Sequence, residues 1–365
     1  MQLPDHGANP NTLFQRLGLA LPKEVVDLSE NVNALGQPAG AKKVWETLFS
    51  HIGSYPHMEG EPLRSELAAY LSIDQTYITL TNGAAEALMT IAQFVRGRKA
   101  VLLEPSFSEY KRTLLAQDIA VQSVVVDDIC TYAVPFEKLC EQLTDNSVLY
   151  ICNPNNPTGV CQTFETMRQL VHLTREKGAL LVVDEAFIDF TDEASSVVHL
   201  VADNPHLIVL RSMTKMYGLA GVRLGYIVSQ QTPTIAKLLP HWSVSYVALE
   251  LGRFCLKQQE FVKESRRYSD TTRKKMRSFL QDRQCIVTES AVNFLTFKPP
   301  FDVKPFYRYL LKHGIVTRHT ENFVGLDGKW LRIGMKEHEK LQLFMERWRQ
   351  YENDLLHSPR GNRVE

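Results

Sequence analysis

LLVVDEAFIDF, residues 180–190, is a short apolar run closed by two adjacent carboxylates. A run of Leu and Val with no polar alternation reads as a strand buried on both faces, as in a mostly parallel sheet covered by helices. A carboxylate at the mouth of such a strand is costly to bury unless it meets a cation or hydrogen-bond donors. For Asp184 a protonated heteroaromatic nitrogen would serve, and so would a neighbouring lysine or arginine; this segment leaves both open.

Working outward, similar apolar runs recur at 77–81, 100–103, 121–126, 148–152 and 207–210, with helix-like stretches between them. The spacing leaves room for crossover helices, which parallel strands require. Leu63, Leu67, Tyr70 and Leu71 share one face of a helix begun at Pro62, and Leu88, Ile91, Ala92 and Val95 share a stripe that Gly97 can end. The expected fold is α/β: a large domain with a mostly parallel sheet flanked by helices, plus a smaller α+β domain. After about residue 245 the texture changes to a long charged helix over 261–282, short strands near 284–297 and 329–334, and an amphipathic helix over roughly 337–351. The division expected is an N-terminal segment (1–45) serving the small domain and the substrate site, a large domain (46–244), a small C-terminal domain (245–356) and a frayed tail (357–365).

Composition narrows the function. Of 365 residues, 44% are hydrophobic and 22% charged, so a globular body can form without metal or disulfide staples. Forty-one basic residues balance 41 acidic ones, which removes any global electrostatic pull toward nucleic acid or anionic membrane. The start, MQLPDHGANP, lacks a signal-peptide pattern, and no apolar run approaches the ~18 residues a membrane span needs. Six cysteines without a CxxC pair, and eleven histidines without HExxH, signal neither a zinc site nor a disulfide framework. The expectation is a cytoplasmic protein acting on small molecules.

Doubly wound sheets bind ligands beyond the carboxyl ends of their strands, and four such ends carry unusual polar groups. Asn82-Gly83-Ala84-Ala85-Glu86 turns a strand into a helix N-terminus, where free N–H groups and the helix dipole favour a phosphate. NPNNPTG, 153–159, is a stiff loop able to present the Asn156 amide, although the same residues also build plain turns. Asp184 follows. The last is RSMTKMYGLAGVRLG, 211–225, with Lys215 as a plausible nucleophile toward an aldehyde and Arg223 eight residues on as a phosphate clamp.

In this order the motifs resemble the fold type I pyridoxal-phosphate enzymes, specifically the class I and II aminotransferase superfamily, from about residue 25 to 335. The resemblance implies pyridoxal 5'-phosphate as cofactor, Lys215 as the lysine covalently joined to it, Asp184 as the partner of its pyridinium nitrogen and Asn156 as a donor to its 3-oxygen. It implies a phosphate cradle at Gly83, Ala84, Ala85, Ser212 and Arg223. Tyr110, in PSFSEY, resembles the aromatic stacked on the ring. Tyr55, in GSYP, resembles the tyrosine lent by the partner in a homodimer, and Arg332, in LRIG, the arginine that grips the substrate α-carboxylate.

Two branches of the superfamily compete, the histidinol-phosphate aminotransferases and the threonine-phosphate decarboxylases of cobalamin biosynthesis. His6-Gly7-Ala8-Asn9, the segment DLSENVNALG (27–36) and Phe187 look more like the decarboxylases; the aminotransferases usually have tyrosine at 187. That likeness implies His6, Asn31 and Arg318 as contacts for a substrate phosphate. Ala34 before Leu35, and the apolar pair Ala84-Ala85, depart from the decarboxylase pattern. The expected reaction is decarboxylation of O-phospho-L-threonine or a similar phosphorylated amino acid, the alternative transamination with 2-oxoglutarate. A non-catalytic binding module on the same scaffold is disfavoured by the retention of Lys215 and Asp184.

Overall fold

The computed structural model of the chain describes residues 3–357. Its centre is a seven-stranded sheet in which the strands at 78–81, 225–229, 207–212, 180–184, 147–152, 99–104 and 121–125 lie side by side in that order. All pairings are parallel except those of Gly225–Ser229, which runs against both neighbours. Four of the five inner strands, at 147–152, 180–184, 207–212 and 225–229, are buried at every position, as continuous apolar runs demand. Gly225–Ser229 is the strand the sequence pattern missed: it follows the lysine loop at once, without the helix that separates the others.

A large core covers one face of this sheet, a cluster including Leu88, Ile91 and Leu114 covers the other, and a separate, smaller core lies in the small domain. The large one packs helices such as Leu63–Leu71 and Phe164–Glu176 against the sheet through Leu63, Leu67, Met167 and Leu170. The smaller one joins the N-terminal segment to the C-terminal part: Leu13, Phe14 and Leu28 pack with Met276, Phe306, Phe344 and Trp348 around a four-stranded antiparallel sheet. Val26–Asp27 also pairs in parallel with Ile315–Val316. The long helix Gln259–Gln281 belongs to both cores, with Val262 in the first and Met276, Phe279 and Leu280 in the second. Helix Tyr246–Leu256 packs on Ala41–Leu48 and Leu63–Leu71, so it joins the large body although it follows residue 245. The last helix runs from His338 to His357, longer than its apolar stripe suggests because the stripe ends at Trp348 and Tyr351. The expected frayed tail lies, beyond His357, outside the described residues. No helix among the described residues is long and apolar enough to cross a membrane.

The topology places Asn82, Asn153, Asp184 and Lys215 at or just past the carboxyl ends of strands that point the same way. Register makes them neighbours, since Cys152 pairs with Asp184 and Asp184 with Leu210.

Candidate active site

A cavity of about 460 Å³ opens between the carboxyl edge of the large sheet and the small domain. Its lining includes Lys215, Asp184, Asn156, Ala84, Ala85, Ser212 and Arg223 from the large body, and His6, Asn31, Arg318 and Arg332 from the N-terminal and C-terminal parts. Eleven of the residues singled out from sequence therefore meet in one place. Gly83 lies beside it; Tyr110 and Tyr55 do not line it.

Asp184 sits at the end of its strand, 5% exposed. Its Oδ2 accepts the Tyr110 hydroxyl proton at 2.6 Å and its Oδ1 accepts the Ala186 N–H at 2.9 Å. Among the described residues no lysine or arginine forms an ion pair with it; the nearby Arg211 is taken by Glu185 and Asp189. Burial pushes its carboxyl up to about 6, against these two hydrogen bonds. Lys215 acts on this carboxylate only from a distance, so among the described residues it has no ion-pair partner.

Tyr110 is where the structure corrects the reading. It is fully buried behind Asp184, and Phe107, the first aromatic of PSFSEY, lines the cavity instead. The two rings meet edge to face at 5.8 Å. Phe107 caps the helix Ser108–Leu115, and one turn inward from it Tyr110 faces the sheet. Phe107 is therefore the aromatic that this segment turns to the cavity, while Tyr110 holds Asp184.

Lys215 follows the strand Leu207–Ser212, its backbone carbonyl accepting from Asn33 N–H at 3.1 Å. Burial, then Arg332, push its ammonium down to about 8 against the opposing pull of Glu30. Its Nζ lies 5.9 Å from the centre of the Phe187 ring, which meets Phe294 edge to face.

The phosphate end is built on close approach. Gly83 opens the helix Gly83–Phe94 at φ +73°, and a Cβ there would come within 2.7 Å of the Arg223 guanidinium. Arg223 itself has φ +64°, a strained backbone for a residue with a Cβ, and its Nη1 donates to Ala220 O at 3.1 Å. The Ser212 and Thr214 hydroxyls share a hydrogen bond of 2.8 Å at the same wall. A helix N-terminus, two hydroxyls and a guanidinium around a glycine cradle fit a phosphate.

At the opposite end Arg332 is 6% exposed, donating to the Asn156 side-chain oxygen and to Ser29 O at 2.9 Å, while its Nε has no partner. Burial, with help from Arg318, pushes it down to about 9. Arg318 donates to Asp5 O at 2.5 Å and to Asn322 Oδ1 at 2.7 Å, and burial pushes it down to about 10. Neither makes an ion pair with a carboxylate among the described residues. Asn31 Oδ1 is buried and unpartnered as well. Tyr55 is 83% exposed and touches Trp242, outside the cavity of its own chain.

The cavity thus offers a lysine, an uncompensated buried carboxylate, a phosphate cradle and unpaired guanidinium groups, a donor set that fits pyridoxal phosphate. The sequence model of Aminotransferase class I and II matches residues 23–347. The chain belongs to this family. It is 28% identical over 337 residues to the threonine-phosphate decarboxylase of Salmonella typhimurium, covering 91% of this chain and 92% of that one. To the histidinol-phosphate aminotransferase of Lactiplantibacillus plantarum it is 31% identical over 332 residues, 88% and 89% of the two chains. The crystal structure of the histidinol-phosphate aminotransferase from Clostridium acetobutylicum superposes with a TM-score of 0.83 at 28% identity, over 90% of this chain and 99% of that one. The fold is that of the fold type I enzymes, and the family member described here is a pyridoxal-phosphate-dependent enzyme.

Proposed function

We propose that the chain decarboxylates O-phospho-L-threonine, or a similar phosphorylated amino acid, to carbon dioxide and an aminoalkyl phosphate, the step its decarboxylase relatives are named for. One observation carries this reading. Two buried arginines without carboxylate partners, Arg332 and Arg318, line the cavity that holds Lys215 and Asp184, and a substrate with both a carboxylate and a phosphate answers both. His6 and Asn31 line the same cavity and would complete the phosphate contacts.

When bound, pyridoxal phosphate supplies an electron sink for a bond broken at the substrate Cα. Asp184, fixed by Tyr110 and the Ala186 N–H, holds a proton on the pyridine nitrogen. Asn156 donates its amide toward the ring 3-oxygen, and the Ala84 and Ala85 N–H groups, Ser212 and Arg223 bind the cofactor phosphate. Phe107 covers one face of the ring and excludes water from it. Arg332 orients the α-carboxylate through its planar fork. Lys215 would carry the covalent attachment, and its amine would move a proton at the substrate Cα.

Phe187 supports the same branch: a phenyl ring cannot donate to the ring oxygen, which leaves that contact to Asn156. The second reading, transamination of histidinol phosphate with 2-oxoglutarate, rests on the aminotransferase relative, whose identity of 31% exceeds the decarboxylase's 28%. We place the enzyme in the cytoplasm as a homodimer. Exposed Tyr55, Phe49, Ile52 and Trp45 form an apolar surface suited to a second copy, and Tyr55 would reach the partner's cofactor phosphate.

Product analysis decides between the readings. Incubation of the holoenzyme with O-phospho-L-threonine is expected to release carbon dioxide stoichiometrically. Glutamate formation from the 2-oxoglutarate supplied with histidinol phosphate, with no carbon dioxide from phosphothreonine, would reject the decarboxylase.

A further inference from the structure

The segment Pro4–Ala8 crosses the cavity mouth and is tied to both lobes. On the small-domain side Asp5 O accepts from Arg318 at 2.5 Å and from Asn322 at 2.9 Å, and Pro4 O lies 2.8 Å from His319 Nε2. In the middle Ala8 N–H donates to Ser29 Oγ at 2.9 Å, and Gly7 lies so close that a Cβ would come within 2.6 Å of that same oxygen. On the large-domain side there is one polar tie: His6 Nε2 sits 2.7 Å from Glu109 Oε1, with its ring against Phe107 at 5.8 Å between centroids. Glu109 comes from the first turn of the helix Ser108–Leu115, 103 residues away in sequence, and also accepts from Arg112 at 3.1 Å.

Glu109 is a carboxylate on the wall of the cavity, as are Asp184 and Glu30, the latter paired with Lys336. Left alone it would repel a phosphate. Bonded to His6 it does the opposite: it occupies Nε2 and fixes the plane of the ring, which leaves Nδ1 as the nitrogen free to meet a ligand.

We propose that Glu109 is a positioning residue for substrate recognition, holding His6, and through it the segment Pro4–Ala8, so that the imidazole presents Nδ1 to the substrate phosphate. The proposal rests on the phosphorylated-substrate reading given above and adds to it a residue outside the cofactor contacts. It also gives Phe107 a second task, because the ring that covers the cofactor face is the one His6 leans on.

The charged groups facing His6 are Glu109 and Arg112 from the helix Ser108–Leu115, with Arg318 and His319 from the small domain beyond Asp5. Of these Glu109 is the one that bonds the ring, at Nε2. The test uses holoenzyme, with Glu109→Gln to remove the charge and Glu109→Asp to retain it. In Glu109→Gln the shift of the His6 ring resonances on adding inorganic phosphate, followed by NMR at fixed pH, is expected to need ~10-fold more phosphate than in wild type. KM for O-phospho-L-threonine is expected to rise ~10-fold, with kcat changed less than about twofold. Glu109→Asp is expected to recover part of both.

A response of the His6 resonances to phosphate that is unchanged in Glu109→Gln would overturn the proposal, whatever happens to KM, because a merely structural effect raises KM without moving that response. An equal loss in kcat and kcat/KM with normal KM would also overturn it. Wild-type enzyme that releases no carbon dioxide from phosphothreonine would count against the reaction assigned, not against Glu109; the response of the His6 resonances to inorganic phosphate still reads Glu109 in that case.

Discussion

Arg211 and Arg332 are both buried at strand ends, 3% and 6% exposed, and their surroundings are opposite. Arg211 bonds Glu185 Oε2 at 2.9 Å and Asp189 Oδ1 at 3.0 Å; although burial opposes its charge, these carboxylates with Tyr226 hold it well above the usual guanidinium range. Glu185 is further fixed by Ser196 Oγ at 2.7 Å and the Val197 N–H at 2.8 Å. Arg332 has an amide oxygen and a carbonyl for partners, one N–H with none, and a guanidinium pushed down to about 9. A buried cation that the chain neutralises belongs to the architecture, whereas one it leaves unneutralised is kept for an anion from outside.

The contrast can be broken by four measurements. The largest effect is expected for Arg211→Met: stripping the partner from buried Glu185 costs about 3–5 kcal/mol of stability, read from denaturant unfolding of the apoprotein. Arg332→Met should leave that stability within about 1 kcal/mol, since a poorly compensated buried charge is removed. Its KM for the carboxylate-bearing substrate should nevertheless rise ~100-fold, and equal destabilisation by the two variants would erase the distinction.

Lys215 gives the next test. Its ammonium stands at about 8 in place of the ordinary 10.5, so the neutral amine that joins an aldehyde is half populated near pH 8. Capture of pyridoxal phosphate by apoprotein, followed by absorbance, should accelerate as pH rises through about 8 and level off above about pH 9. A climb that continues to pH 10 would mean that the cavity does not act on Lys215 as described. The smallest effect belongs to Tyr110→Phe, which removes one hydrogen bond to Asp184: kcat should fall by about tenfold while the cofactor band persists. Loss of that band would instead return Tyr110 to the ring face.

The strands and their chemistry were legible because inner parallel strands are uninterrupted apolar runs, and in such a sheet the polar residues after them can only converge at one edge. Gly225–Ser229 was not legible, since nothing between the lysine loop and GYIVS marks a reversal of direction. Phe107 and Tyr110 stand three residues apart at a helix start, and which of them reaches the cavity depends on how that helix meets the sheet, something periodicity over so short a stretch does not fix. Arg332 could be placed through resemblance to a family, whereas its lack of a carboxylate partner is visible only in three dimensions. The pairing of His6 with Glu109 links residues 103 positions apart and leaves no local trace at all.

The central claim is that position 215 is where the cofactor is joined, opposite the unpaired arginines. Borohydride reduction of the holoenzyme, followed by digestion and mass spectrometry, tests it most directly. The account predicts a pyridoxyl-phosphate adduct on the peptide containing Lys215; an adduct confined to another lysine, or none at all, would contradict it.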